Sequence, residues 1–320
     1  MNYKNAVYFP MVIALLKVSR RFPIPLRSLL ADAIALAGYL GSSGKQSLRT
    51  QGLRNAAIER LDDKQLRATL RGAAYRFWRE TFWMAPSSTE VELIRSMPLR
   101  GEEHLQQALG RGKGVLLLES NNFGSRIMAR RILHSRGYAL HQVHMAVHLG
   151  SGFVLAPKDR DWSSRMLGRY FERCEKEFLE EIIYLPATES MAFTRTMMDR
   201  LKQNCIICLA GDGRYGQRLI EAPFLGIPKT FSTGMISLAR SSGATVLPLF
   251  CLGDGYSRFA AIIEAPIDVA TSPQRDASIA AAIVQFSEVL GKYASQYKDQ
   301  FSGWDELAIP PPTAADTGPG

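Results

Sequence analysis

The chain is poor in cysteine, in long apolar runs and in acidic residues, and each shortage removes a class of protein. Four cysteines among 320 residues (Cys174, Cys205, Cys208 and Cys251) are too few and too scattered for a disulfide framework. Cys205 and Cys208 have CxxC spacing, but they fall in the strand-like run Cys205 to Ala210. Successive side chains alternate faces in a strand, which places the two thiols badly for a metal or redox site. Buried, reduced structural thiols in a cytosolic setting are therefore expected. The N-terminal apolar run, Ala6 to Leu16, has eleven residues, whereas a spanning helix needs about 20. Acidic residues number 30 against 39 Lys and Arg, a net charge of +9. Such a surface favours an anionic partner: a nucleic acid, an anionic membrane or a phosphorylated substrate. The sequence carries no basic stripe interleaved with aromatics and no nucleic-acid motif, so nucleic acid is not an expected partner. Nor does any ligand spacing call for a metal or a cofactor. There is no internal repeat.

What is present is globular: 46% of residues are apolar and 22% charged. After Ala6 to Leu16 come Lys17, Arg20 and Arg21, and then a second apolar helix, Leu26 to Leu40, carrying Arg27 and Asp32. Pro10 predicts a kink or a late helix start. A secretory signal would place its charge before the apolar run, and here most of it follows. Two interfacial helices are expected, with apolar faces among acyl chains and basic residues at headgroups. The alternative is a helical annex packed on the core. Ser47 to Ala85 predicts a helical pair, the second helix capped by Asp62 and Asp63. Its aromatics, Tyr75, Phe77, Trp78, Phe82 and Trp83, suit core packing or, alternatively, the lining of an acyl channel. The expected divisions are 1–45 (membrane-associating helices), 46–97 (helical annex), 98–308 (α/β domain) and 309–320, a Pro/Ala/Gly-rich disordered tail.

From Pro98 onward strands and helices alternate. The expected strands are Val115 to Leu118, Ala139 to Val147, Ile182 to Leu185, Cys205 to Ala210, Ala244 to Cys251 (broken at Pro248) and Arg258 to Glu264. The expected helices are Ser125 to His134, Ser164 to Leu179, Ser190 to Gln203, Ser232 to Ser242 and Ser278 to Tyr297. This order predicts an α/β fold, a mostly parallel central sheet flanked by helices.

Two stretches carry the chemistry. GKGVLLLESNNFGSRI, Gly112 to Ile127, is a buried strand, a polar loop, a glycine turn and a helix start. The loop at the C-terminal end of a parallel strand is where α/β folds place their sites. Leu209 to Gly226 (LAGDGRYGQRLIEAPFLG) and then TFSTG form a second corner, with Asp212, Arg214 and Arg218 on a Gly-rich turn and an apolar platform at Pro223 to Gly226. Ser232 and Thr233 open a helix as an N-cap, and the corner suits phosphate or carboxylate. A plain surface turn with Asp212 paired to an arginine is the alternative.

These stretches resemble the lipid A lauroyl/myristoyl acyltransferases, within the lysophospholipid acyltransferases. The first motif of that family runs from an apolar strand into HxGNWE. Its catalytic His falls on Asn122 and the acidic partner on Ile127. The second motif, an Asp turn, Tyr-Gly, Arg, an apolar PFxG and a T-G helix start, matches Asp212, Tyr215-Gly216, Arg218, Pro223 to Gly226 and Thr233-Gly234. Gln300, Phe301 and Trp304 resemble the family's QWxWxH ending without its His. The resemblance implies a glycerolipid acyltransferase-like fold at the cytoplasmic face of a bacterial inner membrane. It implies an acyl carrier protein or acyl-CoA thioester as donor and an anionic lipid or glycolipid hydroxyl as acceptor. Asn122 cannot act as a base near neutral pH, although its amide can donate to an oxyanion. The candidate substitutes are Glu119, Asp212, His144 and, beside it, His148. Asn121, Arg126, Arg214, Arg218, Ser232 and Thr233 are the expected substrate-binding residues. Three outcomes follow: an acyltransferase with a re-sited base, a transferase with another donor, or an inactive relative that binds lipid or a partner.

Overall fold

A computed structural model of the chain describes residues 3–145, 148–149, 153–154, 162–185, 191–212, 218–269 and 274–308. Arg214, the Tyr215-Gly216 pair and the tail 309–320 lie outside the described residues. The elements begin with α1 (Tyr3–Ser19), α2 (Ile24–Leu40), α3 (Ser43–Asn55), α4 (Asp63–Trp83) and α5 (Ser88–Arg95). Then come β1 (Leu99–Arg100), α6 (Glu102–Gly110), β2 (Val115–Glu119), α7 (Arg126–Ser135), β3 (Leu140–Met145), β4 (His148–Leu149), β5 (Phe153–Val154), α8 (Trp162–Glu175) and β6 (Glu181–Leu185). They continue with α9 (Met191–Lys202), β7 (Ile206–Ala210), β8 (Leu219–Phe224), β9 (Ile227–Ser232), α10 (Gly234–Ser242), β10 (Thr245–Asp254), β11 (Arg258–Ile263) and α11 (Arg275–Gln296). Two short 3₁₀ turns, Lys298–Gln300 and Gly303–Leu307, close the described chain.

Seven strands form one sheet in the order β1-β11-β10-β2-β7-β3-β6. All neighbours pair in parallel except β10 with β11. The expected α/β class and mostly parallel sheet are what the chain builds. Every residue of β2 is buried, which suits a near-continuous apolar run in a central parallel strand. The period of two divides that run between two cores. Val115 and Leu117 pack with Ile127, Ile132 and Phe171 on one face. Leu116 and Leu118 pack with Ile236, Phe231 and Phe286 on the other. Pro248 does not break β10. It sits opposite Leu118 at the last β2 pairing, and the β11 pairing starts at Leu249, so the missing N–H costs no ladder bond there.

Three local expectations change. Pro10 lies inside α1, so the helix starts before it and not late. The apolar platform at Pro223 to Gly226 is the turn of the β8–β9 hairpin, with Leu225 at φ 51° and Gly226 at φ 77°. Both central residues in the left-handed region is the signature of a type I′ turn. Leucine is an unusual occupant there, which hid the hairpin. Finally, Arg27 does not face headgroups. It is fully buried, 3.1 Å from Glu90, and donates to the carbonyls of Phe82 and Ala85 and to the Tyr256 hydroxyl. Asp32 accepts both arms of Arg79 at 2.8 and 3.0 Å. Of α1, the residues Phe9, Val12, Ile13 and Leu16 are buried in the same core as Leu167 and Phe171 of α8. The two N-terminal helices are thus partly a packed annex.

All four cysteines are free thiols, and Cys174, Cys208 and Cys251 are buried. Burial pushes the Cys208 and Cys251 thiols far up from their ordinary value. A thiol reagent at mild alkaline pH is therefore expected to label the half-buried Cys205 first and the other three only on unfolding. Rapid modification of two or more thiols, counted by mass spectrometry, would contradict this packing.

Candidate functional site

β2 delivers Glu119 to the C-terminal edge of the sheet, and α7 returns Arg126 and Arg130 above it. The two arginines are four residues apart and so share one helix face. Arg126 Nε lies 2.8 Å from Glu119 Oε2, and Arg130 Nε lies 2.8 Å from Oε1. Glu119 is 1% exposed and Arg130 0%. Burial alone raises the Glu119 pKa, but the guanidiniums of Arg130 and Arg126 outweigh it and hold the carboxyl below its ordinary value. With both oxygens taken by arginines, Glu119 is a fixed anion and a poor proton acceptor. Its work is to anchor Arg126, whose Nη1 holds Asn121 Oδ1 at 2.7 Å.

The loop 120–122 is tied to the next strand by Asp212, two residues past the end of β7. Asp212 accepts from the Ser120 hydroxyl and from the Asn121 N–H, the latter at 2.7 Å. The Asn122 N–H bonds Ser120 Oγ at 3.0 Å. Asn122 Nδ2 lies 3.5 Å from Asp212 Oδ2. Asn122 and Asp212 thus meet at the ends of two adjacent strands. Asp212 is 2% exposed.

A second anchor comes from the last described stretch. The Ser302 N–H donates to the Asn122 carbonyl at 2.7 Å, and the Ser302 hydroxyl to the same oxygen at 3.2 Å. Gly303 lies flat on the loop; a Cβ there would meet Asn122 Cγ at 2.8 Å. Asn122 Nδ2 reaches Glu306 Oε1 at 3.1 Å, and Glu306 Oε2 accepts from Lys229 Nζ of β9. Neither Glu306 nor Lys229 was expected from the sequence. Nothing in a lone lysine on a short strand, or in a glutamate near the C-terminus, signals a pair 77 residues apart.

The other sequence candidates lie elsewhere. His144, at the end of β3, is buried with Nε2 3.7 Å from Glu175 Oε1. β7 lies between β3 and β2, which sets His144 roughly 10 Å from the β2 edge at the usual interstrand spacing. His148 belongs to β4, and its side chain lies outside the described residues. Arg218 is exposed and pairs with Asp276 at 2.7 Å. Thr233 does not cap α10: its hydroxyl turns back to the Arg218 carbonyl at 3.1 Å. Ser232 closes β9, its hydroxyl 3.5 Å from the Gly234 N–H. At the family's acidic position, Ile127 is buried, and its N–H instead donates to Glu80 Oε1 of α4 at 3.2 Å. Glu80 also lies 3.5 Å from Arg76, which donates to the Gly124 carbonyl. A carboxylate has thus reached the helix start from a different helix. Among the described residues no group of three or more His, Cys, Asp or Glu is placed to hold a metal ion.

Chemically, the loop offers a neutral amide donor flanked by two carboxylates, over a buried arginine pair. That can orient a hydroxyl and accept its proton, the requirements of transfer onto an alcohol.

A sequence profile described as bacterial lipid A biosynthesis acyltransferase matches residues 2–297. The chain is also similar to the phosphatidylinositol mannoside acyltransferases of two Mycobacterium tuberculosis strains, CDC 1551 / Oshkosh and ATCC 25618 / H37Rv. In each comparison it is 25% identical over 182 residues, 56% of this chain and 52% of the relative. The chain thus spans about half the length of the curated relatives it matches. A profile match over nearly all of the parallel sheet, the β2 loop and the Asp212 turn places this chain in the bacterial lipid A biosynthesis acyltransferase family.

Proposed function

We propose that the protein transfers a fatty acyl group from an acyl carrier protein or CoA thioester to a hydroxyl of a lipid A-type or related glycolipid or phospholipid. The site is the β2 loop, with an amide and carboxylates where the family places a histidine. The observation that carries this reading is the contact of Asn122 with Asp212 at the ends of β2 and β7, in a chain matched by the family profile over 2–297. In the proposed reaction the acceptor hydroxyl gives its proton to a carboxylate beside Asn122 and attacks the thioester carbonyl. Amide and backbone N–H groups of the loop stabilise the oxyanion. Asp212 and Arg126 fix the loop, and Asn121 is held by both. Arg214 and Arg218, with Ser232 and Thr233, serve the phosphorylated headgroup. The Arg218–Asp276 pair is exposed, so a phosphate can replace the aspartate without desolvating a buried charge.

The test uses purified protein, an acyl thioester donor and anionic vesicles carrying a phosphorylated glycolipid, with ester formation followed by mass spectrometry. Wild type is expected to form ester, and Asn122→Ala to lose at least about tenfold in rate. Turnover indifferent to substitution of Asn122, Asp212 and Glu119 would remove this loop from the mechanism.

The same reading places the protein on the cytoplasmic face of the bacterial inner membrane. Among the described residues no single helix is long and apolar enough to cross a membrane. The support is an interfacial face. Val7, Met11 and Val18 of α1 and Leu26, Leu29, Leu36 and Leu40 of α2 are exposed, and so are Lys17, Arg20 and Arg21. Arg165, Arg169 and Arg173 form an exposed stripe on α8, which packs against α1. Apolar side chains flanked by cations suit an anionic bilayer surface. Met11→Glu with Leu29→Glu is expected to lower binding to anionic vesicles about tenfold or more, since each change removes apolar insertion and adds repulsion. Unchanged co-sedimentation would place the contact elsewhere.

A further inference from the structure

We propose that a cleft beside the β2 loop binds an uncharged polyhydroxyl ring, the sugar of the acceptor lipid, with Arg76 and Asp299 as its polar partners. The assignment rests on the transferase reading above and narrows its acceptor to a glycolipid. The cleft lies between α4, the turn joining β10 to β11 and the 3₁₀ turn Lys298–Gln300. Arg76, Glu80, Ser125, Phe259, Asp299 and Gln300 are among its lining residues. It is continuous with the loop. Arg76 donates to the Gly124 carbonyl, and the Gly124 N–H donates to the Gln300 carbonyl at 3.1 Å. Gly124 follows Asn122 by two residues, at most about 7 Å of chain, so a ring seated here lies within reach of Asn122.

The guanidinium of Arg76 is half used. Its Nη1 holds the Gly124 carbonyl and lies 3.5 Å from Glu80 Oε2. Its Nε is buried with no hydrogen-bond partner, and Nη2 makes no hydrogen bond among the described residues. These two nitrogens form one edge of the planar group, a fork for two oxygens. A buried donor left unmade costs free energy that an arriving acceptor oxygen recovers.

Such a fork fits a phosphate, a carboxylate or a pair of neighbouring hydroxyls, and the charge of the lining separates them. Arg79 also lines the cleft, but both its arms are held by Asp32. Glu80 accepts from the Ile127 N–H and faces Arg76. Asp299 is exposed and makes no ion pair among the described residues. Arg76 therefore stands against two carboxylates, and an entering anion meets net repulsion. A lone ammonium would answer Asp299 and leave the fork empty. A sugar edge serves both, its lone pairs on Arg76 and an O–H on Asp299. Phe259 supplies an apolar wall for the C–H face of the ring.

The experiment measures ester formation by the full chain with three acceptors in the same vesicles. One is a phosphorylated glycolipid, one is lysophosphatidic acid, which has a hydroxyl but no sugar, and one is lysophosphatidylethanolamine, which adds an ammonium. Wild type, Asp299→Ala and Arg76→Lys are compared, with folding checked by thermal melting. Asp299 is exposed, so its removal leaves the core untouched. Lysine keeps the charge of Arg76 and a donor for the Gly124 carbonyl but has no fork. The readout is the ratio of kcat/KM for the glycolipid to that for each lysolipid, because damage to the loop lowers all three together. Wild type is expected to favour the glycolipid about tenfold or more, and each variant to lower the ratio about tenfold, chiefly through KM. A ratio unchanged in the folded variants, or a wild type that prefers a lysolipid, overturns the assignment while leaving acyl transfer standing. Equal transfer to free methyl α-glucopyranoside overturns the lipid-borne source of the sugar. A wild type that forms no ester with any acceptor overturns the transferase reading, and this assignment with it.

Discussion

Glu119→Gln is expected to destabilise the protein by about 3–5 kcal/mol, the usual cost of removing one partner from a buried ion pair. The reason lies in what is left behind. Arg130 is fully buried, and two of its nitrogens lie on the Glu119 carboxylate. Glutamine keeps the shape but supplies no charge, so the buried guanidinium loses the charge of its Glu119 partner under α7. Arg126 is also released, and with it the clamp on Asn121. Chemical denaturation with an unchanged m-value reads the effect. Glu119→Leu combined with Arg130→Met should recover much of the loss, because an ion pair replaced whole by apolar groups is often neutral. The pH dependence has a definite sign. The folded-state pKa of Glu119 lies below its ordinary value of 4.5. Its contribution is therefore fully present above that value and is lost as pH falls through the folded pKa. The Gln variant is expected to show a shallower loss of stability on acidification. A variant as stable as wild type, with the same acid limb, would show that the triad does not hold the loop.

Gly52→Ala is expected to destabilise by about 3 kcal/mol, at the upper end of ordinary overpacking, and to lower acyl transfer at the same time. In an unobstructed helix this change stabilises by roughly 1 kcal/mol, so the sign alone decides between the two situations. Gly52 lies within α3, and a Cβ there would stand 1.6 Å from the Trp304 carbonyl oxygen and 2.7 Å from its carbon. Backbone cannot swing aside as a side chain can. The whole turn Gly303–Leu307 must lift, against the Asn55 amide bond to the Leu307 carbonyl and the Arg49–Asp305 pair at 3.5 Å. Glu306 sits in that turn, so its carboxylate would leave Asn122. Wild-type or higher stability in the Ala variant would mean that the turn does not rest on α3.

The frame of the site was legible because it is made of local patterns. Four apolar residues between glycines and a polar loop marked β2, and the alternation after Pro98 marked the sheet. The Asp212 turn was legible for the same reason, as a polar Gly-rich turn following a strand. What escaped were pairings that only the fold creates. Arg126 and Arg130 share a helix face with nothing nearby in sequence to show that it turns onto a buried glutamate. Arg27 sits in an apolar helix next to Asp32, yet its carboxylate partner is Glu90, and Asp32 serves Arg79. Lys229, in the run Ile227 to Ser232, carries no signal of its own in the sequence. Its burial follows from the β8–β9 hairpin, which was hidden by a leucine in a left-handed conformation. Glu306 became meaningful only once the loop and the hairpin had brought Asn122 and Lys229 to it.

The central claim is that chemistry occurs at the β2 loop without a histidine. The most direct measurement is single-turnover ester formation by wild type, Asp212→Asn and His144→Gln under one set of donor and vesicle conditions. The account predicts ester from wild type and a loss of about 100-fold or more in Asp212→Asn, while His144→Gln, roughly 10 Å away by strand spacing, keeps most of its rate. Loss of transfer in folded His144→Gln with Asp212→Asn spared would contradict it and move the base to the end of β3.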